Sequence, residues 1–446
     1  MIRSWSVAVF VLCSALAPCV PAATLEVGPG KRFARIEEAN AHARPGDVIL
    51  VYPRDHDLPY ERTAVFVRQT RLTFRAAPAP RRVSISGQGF NYSGQGSVPR
   101  AIFQFNRGTD HCVLEGFELT GAHNGSHNGA GVRINQANHI TIRNCEIHHN
   151  DMGIMSNGDG TEETGVDQRI EHCQIHHNGD PADPGHNHNL YLGGTSATLS
   201  FCDVHSSLTG HNVKSRAHHT RIQYCYVHHS SNREFDLVDG ADTARPESHA
   251  VLVGNIIVKD PQCPGNRGVI HFGQDGGKEH DGTIHLLLNT IVTPHISPVL
   301  ELSAANAKAR LLGNLVSNGG VRQRGQRLLA VRGGAGLASI GGHHNWLRGD
   351  FEGESGTTLD ARTNPMQRID APLFGDPARH DYRLRQEARS PLDVVLSPTD
   401  LALPPVPGAA RAREDVPGSW QYRHPADKER RLGEPAQKIG ACSRAP

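Results

Sequence analysis

The chain has 446 residues, with 46 Lys and Arg against 45 Asp and Glu, so no net field draws it to nucleic acid or an anionic membrane. A hydrophobic content of 37 %, an aromatic content of 5 % and 47 glycines disfavour a helical bundle and suit many short strands joined by turns. The length is ample for a sizeable core, and the 28 histidines call for an explanation.

Residues 1–23 carry Arg3, an apolar run from Val7 to Leu16, and small residues at Pro21-Ala22-Ala23. That is the pattern of a secretory signal peptide. A lipoprotein reading would use Cys19, but Pro18 beside it fits that processing poorly. No later stretch is apolar for long enough to cross a bilayer. The expectation is a secreted or periplasmic, soluble monomer with no membrane span.

From residue 24, Phe33, Ile36, Ala39 and Ala43 fall near helical spacing, and Pro45-Gly46-Asp47 stops the run before an apolar strand, Val48–Val51. A short helix here, within a cap of about residues 24–50, would cover the open end of a stacked sheet. Leu72–Phe74 and Val83–Ile85 read as the next strands.

From about residue 110 the chain repeats itself. GFEL (116–119) is followed by NCEIHHN (144–150), HCQIHHN (172–178), FCDVHSS (201–207), YCYVHHS (224–230), GNIIVKD (254–260), LNTIVTP (288–294) and GNLVSNG (313–319). The spacing varies, from Cys202 to Cys225 at the short end to Asn255 to Asn289 at the long end, while the strand chemistry stays constant. That means one coil per repeat, with insertions confined to loops. A second strand follows within most coils: GVRIN (131–135), GIMSN (153–157), NLYLG (189–193), NVKSR (212–216), EFDLV (234–238), VIHFG (269–273) and VLELS (299–303). The expected fold is all-β, a right-handed single-stranded parallel β-helix spanning residues 24–345. Residues 346–446, where the repeat fades and prolines accumulate, are expected to form an irregular C-terminal segment packed on the helix.

Stacked coils lie about 4.8 Å apart. Cys145, Cys173, Cys202 and Cys225 should then form an inward ladder continued by Asn255, Asn289 and Asn314. In-register neighbours have parallel Cα–Cβ vectors, which suit disulfide torsions badly, so the thiols read as small buried hydrophobes, with some bridging as the alternative. His148, His176, His205 and His228 should stack along an outer edge rather than converge as zinc ligands do.

The capping stretch, the coils and the closing D-P-A-R-H-D-Y-R-L with K-I-G-A resemble secreted pectate-lyase-like β-helix proteins over nearly all of the mature chain. Val213-Lys214-Ser215, with Arg221 and Cys225 beyond, is similar to a region of the alginate lyase and chondroitinase B group. The resemblance implies Lys214 as the base that takes the proton beside a uronate carboxylate. That group places acidic calcium ligands just upstream of the lysine, whereas Thr209, Gly210, His211 and Asn212 stand here. Arg216, Arg221 and Arg233 compete as its arginine counterpart.

With apolar residues turned inward, the outward column on successive coils runs Arg133, Met155, Tyr191, Lys214, Asp236, His271, Glu301. His188-Asn189 and His211-Asn212 precede Tyr191 and Lys214 in matching positions, and Glu234 precedes Asp236 in the same way. β-Elimination needs a base, a cation or donor set for the carboxylate, and an acid for the leaving oxygen. Lys214 near Arg216 and Arg133 meets the first need, because a lysine among cations loses its proton more readily. Tyr191 or His211 would be the acid. His188, Asn189, Asn212, Arg133, Glu234, Asp236 and His271 would bind substrate, with Asp275 lining the same groove. Asp236, Asp239 and Asp242 could be turn formers, calcium ligands or a hydrolase acid/base set; no cofactor other than Ca2+ is suggested. The expectation is a lyase acting on an acidic polysaccharide. A glycoside hydrolase or epimerase on the same groove, or a non-catalytic glycan-binding surface protein, is the alternative.

Overall fold

The computed structural model describes residues 21–446 except 94–98, 276, 278–279, 322, 353–358, 368–371, 386, 389–395, 410–416, 418, 431–439 and 443–446. The signal-peptide expectation, Cys19 included, therefore falls almost wholly outside the described residues. Three parallel sheets of 12, 11 and 10 strands run the length of the molecule, each coil giving one strand to each sheet. One coil, for example, comprises Thr141–Arg143, Glu146–His148 and Met152–Asn157. The fold is a right-handed parallel β-helix, the hand that parallel crossovers adopt.

Strict register stacks like on like in the core. Ile142, Ile170, Leu199, Ile222, Leu252 and Leu286 form one inward row. Ile154, Leu190, Val213, Phe235, Ile270 and Leu300 form another, on the third sheet. All are buried in a single continuous cluster, each contributing on the order of 1.5–3 kcal/mol by leaving water. The helix Ile36–His42 closes one end with Ile36 and Ala39 buried. Glu38 accepts the backbone N–H groups of Ala34 and Arg35 at 3.3 Å, satisfying donors at the helix start.

Two strands per coil are evident in the sequence, and the third is hidden. The first-sheet strand runs into the second-sheet strand with only a two-residue corner between them, as in T-I-R-N-C-E-I-H (141–148). The corner is a left-handed residue repeated coil after coil: Asn144 (φ 54°), His172 (52°), Phe201 (57°), Tyr224 (53°) and Leu288 (54°). These conformations are costly for side-chain-bearing residues. Each corner N–H donates to the next coil, as from Asn144 to Glu171 O (3.1 Å) and from Tyr224 to Val253 O (2.9 Å). The second histidine of the H-H pairs does the same work at the following corner, with φ 52° at His149, 51° at His177 and 54° at His229.

Cys145, Cys173, Cys202 and Cys225 are buried free thiols. The thiols of Cys173 and Cys202 point at the carbonyls of Ile142 (3.6 Å) and Ile170 (3.4 Å) on the preceding coil. The amide ladder then takes over: Asn255 donates to Asn289, Asn289 to Asn314, Asn314 to Asn345 and Asn345 to Asn364, at 2.8–3.0 Å. The outer histidines stack as expected, with ring centroids 5.1 Å (His148–His176), 4.7 Å (His176–His205) and 4.8 Å (His205–His228) apart.

The solenoid does not end at residue 345. Trp346–Arg348 pairs with Leu315–Ser317 and then with Met366–Gln367, so coiling continues into the Pro-rich part of the chain. Two antiparallel hairpins follow, Phe374–Asp376 with Asp381–Leu384 and Trp420–Arg423 with Asp427–Arg430. Leu373, Phe374, Tyr382, Leu384 and Tyr422 pack on Tyr226, Ile256 and Trp346 of the second sheet and on the corner residue Leu288. Over the coils from Tyr226 to Trp346 that sheet's outer face is thereby covered. The outer face of the third sheet keeps a long row of polar and charged side chains instead.

Candidate active site

Register on the third sheet places Arg133, Met155, Tyr191, Lys214, Asp236, His271 and Glu301 in one row, each opposite the next. At its centre Lys214 Nζ lies 3.0 Å from Asp236 Oδ2 and 2.6 Å from Asp275 Oδ2. Arg216 Nη2 reaches the same Asp275 oxygen at 2.7 Å. Arg216 Nε donates to Tyr191 Oη at 2.9 Å, and Nη1 donates to the carbonyl of Asp239. Tyr191, Lys214, Arg216 and Asp275 thus form one connected group. Asp275 is its most open member, with 41 % of its side chain exposed.

Behind this group lies a buried hub. Asp236, 2 % exposed, meets His271 Nδ1 (2.8 Å), Arg233 Nη1 (3.3 Å), Lys214 (3.0 Å) and His211 Nε2 (3.4 Å). Burial alone would push its carboxyl up, but His271, His211 and Lys214 outweigh burial and hold it well below the usual range. His271 Nε2 closes on Ser303 Oγ at 2.6 Å, and Glu301 pairs with Arg233 (3.0 Å) and Arg332 (3.2 Å). His188 stacks on His211 at 5.1 Å, and its Nδ1 accepts the His211 N–H at 3.0 Å. Burial pushes His211 down to about 4 and His188 well below its ordinary value, so both rings are neutral at pH 7.

Several expectations need correction. Asn189, Asn212 and Glu234 are fully buried and line no groove. The period-two alternation that places Tyr191 and Lys214 outward breaks at the corner where the chain turns into the third sheet. There the side chains turn inward to satisfy backbone carbonyls, Asn189 that of His205 (2.7 Å) and Asn212 that of His228 (2.8 Å). They also bond one another: Asn178 to Asn189 (2.9 Å), Asn189 to Asn212 (2.8 Å) and Asn212 to Glu234 (2.6 Å). Asp236, His271 and His188, expected to touch substrate, are buried and committed to protein partners; they position the row rather than face solvent. Of the cations expected beside Lys214, Arg216 is present, sharing Asp275 Oδ2 with it, but two carboxylates stand closer to the amine than any cation. Arg133 stands three strands away, beside Met155 Sδ at 3.9 Å.

Asp236, Asp239 and Asp242 do not share a centre either. Asp239 accepts the backbone N–H of Asp275. Asp242 accepts those of Gly160 (2.9 Å) and Gly194 (2.8 Å), tying two loops together. Of the competing arginines, Arg216 and Arg233 reach the row. Arg221 lies on the first sheet and donates to Pro404 O at 2.7 Å. Sequence reasoning missed Ser303, which closes the repeated VLELS segment just past the strand Leu300–Leu302, and Arg332, which follows the strand Leu329–Val331. It also missed that Asp275 belongs to the centre rather than the margin.

No protein-family profile and no curated protein sequence matches the chain. Among solved structures it is similar to pectate lyase Pel9A, at 15 % identity over 96 % of this chain and 97 % of that one, with a TM-score of 0.44. It is also similar to an alginate lyase from Paenibacillus sp. str. FPU-7 (13 % identity, 76 % and 97 %, TM-score 0.37). A third is DFA-IIIase from Arthrobacter chlorophenolicus A6 in complex with GF2 (13 %, 78 % and 99 %, TM-score 0.33).

Proposed function

We propose that the protein is an exported polysaccharide lyase that cleaves a uronic-acid polymer by β-elimination on the outer face of the third sheet. One observation carries this reading: Lys214 and Arg216 together hold a single carboxylate oxygen, that of the partly exposed Asp275 (2.6 and 2.7 Å). A uronate carboxylate arriving in the groove meets the same two donors. It displaces Asp275, so Lys214 exchanges that carboxylate for the substrate's while keeping Asp236 on its other side. Arg216 then neutralises the substrate carboxylate as its enolate forms. Lys214, once it has lost its own proton, takes the proton from C5; the C4–O bond breaks, and Tyr191 Oη protonates the departing oxygen. Lys214 afterwards returns the proton to the phenolate through solvent. The buried hub of Asp236, His271 and Arg233 holds the base in place throughout.

Hydrolysis needs two carboxylates flanking a glycosidic bond. The commitment of Asp236, Asp239 and Asp242 to other partners leaves Asp275 without such a mate, which favours elimination. No helix among the described residues is long and apolar enough to cross a membrane. Alginate, pectate and glycosaminoglycans incubated with the protein test the reading. Absorbance from unsaturated sugar ends, abolished in Lys214→Ala, is expected from one of them. Reducing ends without unsaturation would mean a hydrolase, and retention without turnover a binding protein.

A further inference from the structure

Away from the groove, side chains from three stretches converge on the outer face of the second sheet. Asp203 and His205 are two apart on one strand and project from the same face. His228 is the register partner of His205 on the next coil. One ligand atom from each of the three lies within 4.8 Å of the others. The C-terminal hairpin adds a fourth group. His424 Nδ1 stands 3.2 Å from Asp203 Oδ2, while His228 Nε2 stands 3.1 Å from Oδ1.

The same ladder supplies its own comparison. His148 pairs with Glu118 at 3.1 Å and His176 with Glu146 at 3.3 Å, and both glutamates are 31 % exposed in their side chains. Asp203 is shorter, 2 % exposed, and has a histidine from each side. Among the described residues of this ladder, Asp203 is the buried carboxylate that also meets an imidazole from a distant part of the chain.

We propose that Asp203, His205, His228 and His424 form a binding site for a divalent metal of the zinc class, which clips the C-terminal hairpin onto the β-helix. Three imidazoles and one carboxylate are the donors such an ion prefers, whereas calcium asks for six to eight oxygens. Ligands about 2.0–2.1 Å from a tetrahedral ion stand roughly 3.3 Å from one another. Asp203 reaches His228 through Oδ1 (3.1 Å) and His424 through Oδ2 (3.2 Å), near that edge length, and the stacked His205 and His228 rings, 4.8 Å apart, close toward it around the ion. The rings are oriented from behind, His228 Nδ1 by His229 (2.7 Å) and His205 Nδ1 by Ser206 Oγ (3.0 Å). With four protein donors the shell is closed, so the role is structural rather than catalytic. The ion enters past His424, whose side chain is 40 % exposed.

The test titrates chelator-stripped full-length protein with Co2+ and with Zn2+, following the visible bands of four-coordinate cobalt and the melting temperature. One tight equivalent is expected, with the melting temperature raised by zinc. His424→Ala, a change to a surface hairpin that leaves the solenoid core intact, should weaken binding by about tenfold or more and abolish the zinc-dependent rise. Asp203→Asn should do likewise, and His148→Ala should change neither. Absence of a tight equivalent, binding indifferent to His424→Ala, or equal loss in His148→Ala would overturn the proposal.

Discussion

Glu234 and Lys259 form an ion pair 3.5 Å apart with neither side chain exposed to solvent. Glu234 ends the inner ladder that starts at Asn150 and passes through Asn178, Asn189 and Asn212. Burial raises its carboxyl, against the pull of Lys259, the Ser230 N–H and Asn212. Removing one partner strands the other charge in the core. Lys259→Met should therefore cost about 3–5 kcal/mol in urea unfolding, and the double variant with Glu234→Gln should recover most of that. Additive losses would show that the two residues act independently.

The Lys214–Asp275–Arg216 arrangement predicts opposite effects from neighbouring substitutions. Asp275→Asn removes the internal competitor, so a uronate oligomer should bind more tightly, by about tenfold or 1.4 kcal/mol. Arg216→Ala should weaken binding and slow turnover, and Lys214→Ala should lower kcat by about 10²-fold or more. Steady-state kinetics on the unsaturated product separates these. Looser binding in Asp275→Asn would rule out its place as a stand-in for the substrate carboxylate.

Much of this architecture was legible because register makes periodicity literal. The Cys-to-Asn row, the histidine stack and the outward row from Arg133 to Glu301 all follow from counting. Counting fails at corners. Asn189 and Asn212 look like members of the outward face by alternation, yet the left-handed residues and loops before them reset the phase, and the amides turn inward. Beyond residue 110 the first-sheet strands were invisible for a related reason: in most coils a single left-handed residue, not a Gly-Pro turn, separates them from the next strand. The company kept by Lys214 was also illegible, since Asp275 reaches it from a loop two coils further on.

The thiol ladder predicts chemical silence. Burial raises the thiols of Cys145, Cys173 and Cys202 well above their ordinary value, and that of Cys112 to about 11. The thiolate is the reactive form. Native protein should not react with a disulfide reagent, and guanidinium-unfolded protein should react at every cysteine. A reductant should leave the melting temperature unchanged. Labelling of any ladder thiol in the native state would contradict the burial.

Buried imidazoles predict acid sensitivity well above the carboxylate range. Burial pushes His211, His218 and His285 down to about 4 and His219 to about 3. As pH falls below about 6.5, each of these histidines takes up a proton in the unfolded chain but not in the folded one. The unfolded state then binds more protons, and stability drops from pH 6.5 towards 4. Glu234 works the other way, since its raised carboxyl binds a proton in the folded state first. His123 and His127, raised by Asp151 and Asp180, work the same way as Glu234. His188, well below its ordinary value, joins the four depressed rings, and the depressed histidines outnumber these three groups and set the sign. Unfolding free energy measured between pH 7 and 5 should fall by more than about 1.4 kcal/mol per unit, the slope for one proton. A flat profile would mean that the four rings reach water more freely than their burial implies. By the same argument His211 cannot supply a limb near pH 6.5 to the activity profile, and its replacement by Asn should leave the shape of that profile unaltered.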